Sequence, residues 1–237
     1  MQSKLKRKLN PQTVNYKRAF AWFEDQREKY ERLSDLVVKL IHPDCIIVDV
    51  GASIGYFSLI LMDKLHFKGE AHLFEPLPNL AKLCEFTFKE RPYNVHIHAI
   101  GLADKAGVMT LYISDNGNIG WNTAVKEKRQ DHMKPIEVPI RSFDELVLPV
   151  PGFIKIDVEG MEYRVIRGML NTLENAKFLP LILCEIGWGR YHPYWDEEIK
   201  EFERLLALGY TISDTNERAL NLDSINQTKD VLFIPPN

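Results

Sequence analysis

Cys45-Ile46-Ile47-Val48-Asp49-Val50-Gly51-Ala52-Ser53-Ile54-Gly55-Tyr56-Phe57 runs from an apolar segment into an acid and then into a turn of small residues. Its continuous apolar start reads as a buried parallel strand, and its glycines open a helix. This order gathers backbone N–H groups and a carboxylate at the carboxyl end of a strand, where open α/β sheets bind their cofactors. A dinucleotide fingerprint G-x-G-x-x-G begun at Gly51 would place its second and third glycines on Ser53 and Tyr56. A tyrosine where close backbone packing is required argues against NAD.

Working outward, 237 residues with 45% hydrophobic and 27% charged side chains describe an ordinary globular chain with a substantial core. A net charge of −3 offers no electrostatic footprint for nucleic acid or an anionic membrane. Cys45, Cys84 and Cys184 form no C-x-x-C pair and read as buried thiols in a reducing compartment. With neither a long apolar run nor a hydrophobic signal region, the expected location is cytoplasmic. The basic arm Lys4-Leu5-Lys6-Arg7-Lys8 reads as a solvated terminus, with a membrane or polyanion contact as the alternative.

Val14, Phe20, Phe23, Leu33, Leu36, Val37 and Leu40 recur at helical spacing and predict one or two amphipathic helices over residues 12–41, lying on the cofactor face. We expect residues 1–41 to be a helical extension and 42–237 the main domain. From residue 45 onward strands and helices alternate as in a parallel sheet with right-handed crossovers. Strands are expected near 45–50, 70–75, 95–100, 153–157 and 180–186, with helices near 55–66, 78–90, 161–173 and 196–208. Residues 210–213 and 231–234 are expected to close the sheet as an antiparallel hairpin. Two further strands, 107–113 and 136–141, flank a polar, glycine-bearing connection over 114–135, read as a lid in which Trp121 covers bound ligand.

Each expected strand delivers chemistry to the same edge. The second ends in Phe74-Glu75-Pro76, and a carboxylate there can accept both hydroxyls of a ribose. The third runs into Ala99-Ile100-Gly101, a turn of small residues after the strand. The fourth gives Lys155-Ile156-Asp157-Val158-Glu159-Gly160-Met161-Glu162, with more carboxylates than helix capping requires. The fifth delivers Glu185, followed by Trp188-Gly189-Arg190-Tyr191-His192, whose rings and guanidinium would suit a carbohydrate wall.

Taken as an ordered set over residues 45–190, these motifs resemble the FkbM family of S-adenosylmethionine-dependent methyltransferases. The Asp49-x-Gly51-x-Ser53-x-Gly55 spacing resembles the cofactor loop of class I methyltransferases. The resemblance implies a Rossmann-like α/β fold with a mostly parallel seven-stranded sheet and O-methylation of a saccharide or small-molecule hydroxyl. It places Asp49, Gly51, Ala52, Ser53, Gly55, Tyr56, Phe57, Glu75, Pro76 and Gly101 around S-adenosylmethionine.

An alcohol is a poor nucleophile while protonated, so a general base or a metal ion must activate it. Asp157, Glu185 and His192 are the expected convergent groups, either as bases or as ligands of Mg²⁺ or Mn²⁺. Trp121, Trp188, Arg190 and Tyr191 are expected to shape the acceptor pocket. An RNA ribose methyltransferase could use a Lys155–Asp157 pair but would need a basic groove, so Lys155 is read as structural. A non-catalytic binding module would lose the acids at 157 and 185. The expected partners are a saccharide or related acceptor, with self-association an open alternative and no nucleic acid.

Overall fold

A computed structural model of the chain describes residues 10–114 and 118–236. The basic arm at Lys4–Lys8 and the Asn116-Gly117 portion of the expected lid lie outside the described residues.

Two helices, α1 (Tyr16–Glu24) and α2 (Arg27–Val37), precede the first strand. Asn15 starts α1 by accepting the Arg18 backbone N–H on its side-chain oxygen. The apolar faces are buried through Val14, Ala19, Phe23, Leu33, Leu36 and Val37, whereas Leu40 falls beyond the end of α2 and is exposed.

Strands β1 (Ile46–Val50), β2 (Glu70–Phe74) and β3 (Asn94–His98) alternate with α3 (Tyr56–Leu65) and α4 (Pro78–Phe88). A second group follows: β4 (Gly101–Leu102), β5 (Gly107–Ile113), β6 (Asn122–Thr123) and β7 (Lys134–Arg141). The chain then forms β8 (Phe153–Ile156), α5 (Glu162–Arg167), α6 (Leu170–Glu174), β9 (Leu181–Ile186), α7 (Trp195–Ala207), β10 (Thr211–Asp214) and β11 (Lys229–Ile234). The main sheet has seven strands in the order β10-β11-β9-β8-β1-β2-β3, and only β11 runs antiparallel to its neighbours. The order reverses at β1, which pairs in parallel with both β2 and β8, so the loop after β1 opens at the topological switch point.

The expected strands 107–113 and 136–141 do not extend this sheet. They pair with β4 and β6 in a separate four-stranded sheet, β4-β7-β5-β6. The helix expected over 161–173 is broken at Gly168-Met169 into α5 and α6. A Cβ on Gly168 would lie 1.9 Å from the Ala103 carbonyl oxygen, so the second sheet presses on the backbone there.

The core has one apolar layer on each face of the main sheet. Ile166, Met169, Phe202 and Leu205 pack on one face, and Leu33, Val37, Leu61, Met62 and Phe88 on the other. A third cluster joins Phe23 of α1 to Tyr56, Leu80, Leu111 and Val138, tying the first helices to the second sheet. No described helix is long and apolar enough to cross a membrane.

Candidate active site

Gly51 turns the chain at φ +82°, and a Cβ there would sit 1.8 Å from the Asp157 carbonyl oxygen. The β1 and β8 ends therefore touch through bare backbone, a contact completed by the Asp157 N–H donating to the Val50 carbonyl at 3.0 Å. Gly55 (φ +75°) starts α3, and its α carbon abuts Phe88 and Cys84. The turn between them packs on Glu75. Glu75 Oε2 accepts the Ser53 N–H at 2.9 Å and Oε1 accepts the Leu77 N–H at 2.8 Å. Burial pushes the Glu75 carboxyl up to about 7, against the pull of these two donors.

A cavity of about 270 Å³ opens over this turn. Gly51, Ala52, Ser53, Tyr56 and Phe57 line it, joined by Glu75, Pro76 and Gly101. Two expected cofactor residues lie outside its wall. Asp49 is 1% exposed on β1, where Oδ2 accepts the Ser58 hydroxyl at 2.6 Å and Oδ1 lies 3.4 Å from Lys155 Nζ. Gly55 is taken up by packing against α4. Both shape the turn from beneath.

Asp157 and Glu185 both reach the cavity, because β8 and β9 are parallel neighbours. With Glu159 they form a cluster whose carboxylate oxygens lie within 4.8 Å of one another. Lys155 Nζ lies 3.1 Å from Asp157 Oδ2, and Lys29 Nζ lies 2.8 Å from Glu185 Oε2 and 3.6 Å from Asp230 Oδ2. Burial works against the charge on both lysines, yet Asp157 and Asp49 hold the Lys155 ammonium charged, and Glu185 and Asp230 do the same for Lys29. The Asp157 charge, reinforced by burial, pushes Glu185 up to about 7, while Lys29 opposes the rise. Burial and the same Asp157 charge raise Glu159 well above the carboxylate range.

His192 does not join these acids. It is 4% exposed, and its Nε2–H donates to the Gly160 carbonyl at 2.9 Å while Nδ1 accepts the Tyr194 N–H at 3.0 Å. Both ring nitrogens are thereby committed, which removes His192 from the expected base and metal-ligand set. Burial lowers its pKa to about 4.

The loop after β9 folds away from the cavity. Trp188 stacks on His192, Arg190 donates to the Asp223 carbonyl at 2.5 Å, and Tyr191 is exposed. Trp121 is half-buried and outside the wall, although its neighbours Gly120 and Asn122 are part of it. The ring wall comes instead from Trp22, Phe23 and Tyr30 of the first two helices. Lys29 and Tyr30 carry no signal in the sequence beyond helical periodicity. Lys155, a lysine inside the apolar strand Phe153–Ile156, is such a signal, and it lines the cavity rather than serving only as a prop.

The family model described as Methyltransferase FkbM domain matches residues 49–212. The chain belongs to this family. The FkbM chain is also 28% identical over 158 residues to the hexuronic acid methyltransferase AglP of Haloferax volcanii, covering 65% of this chain and 61% of AglP. The crystal structure of methyltransferase FkbM from Methylobacillus flagellatus superposes with a TM-score of 0.56 at 16% identity. That match covers 81% of this chain and 44% of the other, so each match spans less than two thirds of the relative. The chain has the class I α/β fold, built on a mostly parallel seven-stranded sheet.

Proposed function

We propose that this FkbM methyltransferase uses S-adenosylmethionine to methylate a saccharide hydroxyl, with Asp157 and Glu185 as the proton-accepting pair. The observation that carries the reading is the meeting of these two carboxylates, each with its own lysine, in the cavity that the Gly51–Gly55 turn opens. AglP, by its name, acts on a hexuronic acid, which supports a sugar acceptor.

Bound S-adenosylmethionine would supply an activated methyl group. Glu75 and the Gly51–Ser53 backbone would hold its adenosine part, with Gly101 and Pro76 forming the wall nearby. Trp22, Phe23 and Tyr30 offer stacking surfaces and exclude water. The acceptor proton passes to the Asp157–Glu185 pair, each acid paired with its own lysine. In this reading α1 and α2, the described helices of an extension over 1–41, roof the cavity of a methyltransferase domain over 42–237.

The oxygen set Asp157, Glu159 and Glu185 is of the kind that suits Mg²⁺ or Mn²⁺. Lys29 and Lys155 already supply positive charge to two of the three, so the site fits proton removal better than metal binding. Methyl-labelled S-adenosylmethionine tested against a panel of neutral and uronic glycosides should yield a base-stable methyl ether, with activity unaffected by a chelator. A base-labile ester would make a carboxylate the acceptor, and loss of activity restored by Mn²⁺ would assign the acids to a metal.

A further inference from the structure

Behind the cavity lies a second acidic pair that the proposed chemistry does not use. Glu162 at the start of α5 is 1% exposed and Glu198 on α7 is 0% exposed. Glu162 Oε1 accepts two backbone donors, the Val158 N–H at 3.1 Å and the Gly160 N–H at 3.0 Å. As two carboxylates the pair would leave Glu162 Oε2 and both Glu198 oxygens buried with no donor. Such an arrangement is costly. Among the described residues, no Lys or Arg forms an ion pair with either acid. Arg167, on α5, is committed to Glu197 and Glu201 of α7. Asp157 and Glu159 act on Glu162 from the loop, and the pair is also faced by His192, with Nε2 3.9 Å from Glu198 Oε1, and Cys184 on β9. Neither supplies a charge, since His192 is held neutral by its two backbone bonds and burial raises the Cys184 thiol.

We propose that Glu162 and Glu198 share one proton, and that this acid pair positions the loop Asp157–Gly160 on which Asp157 and Glu159 are presented. Burial and the Asp157 charge push Glu162 up to about 7 against its two backbone donors, whereas Glu198 has no such donor, so the proton resides on Glu198 and its O–H donates to Glu162 Oε2. The remaining charge strengthens the two N–H bonds at Oε1. Burial and the Glu162 charge together push Glu198 far above the ordinary carboxyl range.

The loop needs such a clamp. Glu159 and Gly160 both adopt positive φ, +56° and +101°, a conformation that must be held from outside. Thr123 Oγ1 donates to the Glu159 carbonyl at 2.6 Å and His192 to the Gly160 carbonyl, which secures the acceptors. Glu162 secures the donors. When the shared proton leaves to solvent at high pH, two buried anions face each other, and Glu162 is driven off the loop.

The structural device is independent of the methyl-transfer reading, and only its catalytic consequence rests on it, so two readouts are taken on the full chain without substrate. Near pH 8 the infrared C=O band of protonated buried carboxyls should lose one component in Glu198→Gln, leaving that of Glu159. Backbone hydrogen exchange over residues 157–160, corrected for the intrinsic effect of pH, should be unchanged in Glu198→Gln, whose amide can still donate. It should be about tenfold faster or more in Glu198→Leu. In the wild type the same acceleration should appear at high pH and not in Glu198→Gln, and turnover on any acceptor found should fall with it. Absence of the band in the wild type, or a band of unchanged intensity in Glu198→Gln, overturns the shared proton. Equal exchange in the wild type and Glu198→Leu overturns the positioning role. If the leucine variant does not fold, the comparison of the wild type with Glu198→Gln across pH decides alone. Intact exchange and infrared results with no binding of S-adenosylmethionine would instead overturn the proposed function and leave the acid pair standing.

Discussion

Lys29 Nζ of α2 sits 2.8 Å from Glu185 Oε2 at the end of β9, an ion pair that spans 156 positions of the chain. It makes the N-terminal helices part of the electrostatics of the cavity. Glu185 is pushed up to about 7 chiefly by Asp157, and Lys29 is what opposes that rise. Below that pH the proton acceptor is filled, so kcat/KM should increase as pH rises through about 7. Replacing Lys29 by Met should move this acid limb upward by roughly one pH unit. A limb that stays in place in Lys29→Met would show that Glu185 does not govern the rate.

Glu75 is asked to hold the loop as well as the cofactor. Its two oxygens tie down Ser53 and Leu77, so Glu75→Ala should weaken binding of S-adenosylhomocysteine by at least about tenfold, the equivalent of about 1.4 kcal/mol. Calorimetry checks this, and NAD should not compete. Undiminished affinity in Glu75→Ala would remove it from the cofactor site.

Gly51→Ala tests the backbone contact between β1 and β8. The new Cβ meets the Asp157 carbonyl at 1.8 Å and the residue must keep a positive φ, so the expected cost exceeds about 3 kcal/mol. Chemical denaturation reads it directly. A variant within 1 kcal/mol of the wild type, as a rough limit, would mean that the turn relaxes freely.

The connection 114–135 remains a candidate lid. Its Lys126 and Arg129 are exposed, and Asn118 to Gly120 line the cavity. Trypsin should cut at Lys126–Arg129 in the free protein and more slowly when S-adenosylhomocysteine and an acceptor are bound. Equal rates in both states would make the segment a passive insertion.

Much of this architecture is written locally in the chain. The run from Cys45 to Phe57 determines a buried strand, a turn and a helix, because apolar continuity, glycines at positive φ and helical periodicity act over a few residues. Glu75, Asp157 and Glu185 follow from the same logic, since a parallel strand delivers its last residue to a known edge. Only the tertiary structure decided which side chains meet there. His192 and Trp188 turn inward to brace Gly160, because the loop after β9 is anchored far along the chain, with the Arg190 N–H donating to the Ile225 carbonyl and its guanidinium to the Asp223 carbonyl. Lys29, Tyr30 and Trp22 enter the cavity because α1 and α2 must bury their apolar faces on α3 and the second sheet. Helical spacing says that such a face exists. Its partner, and therefore the position of its flanking polar residues, is set by packing between segments that local sequence does not connect.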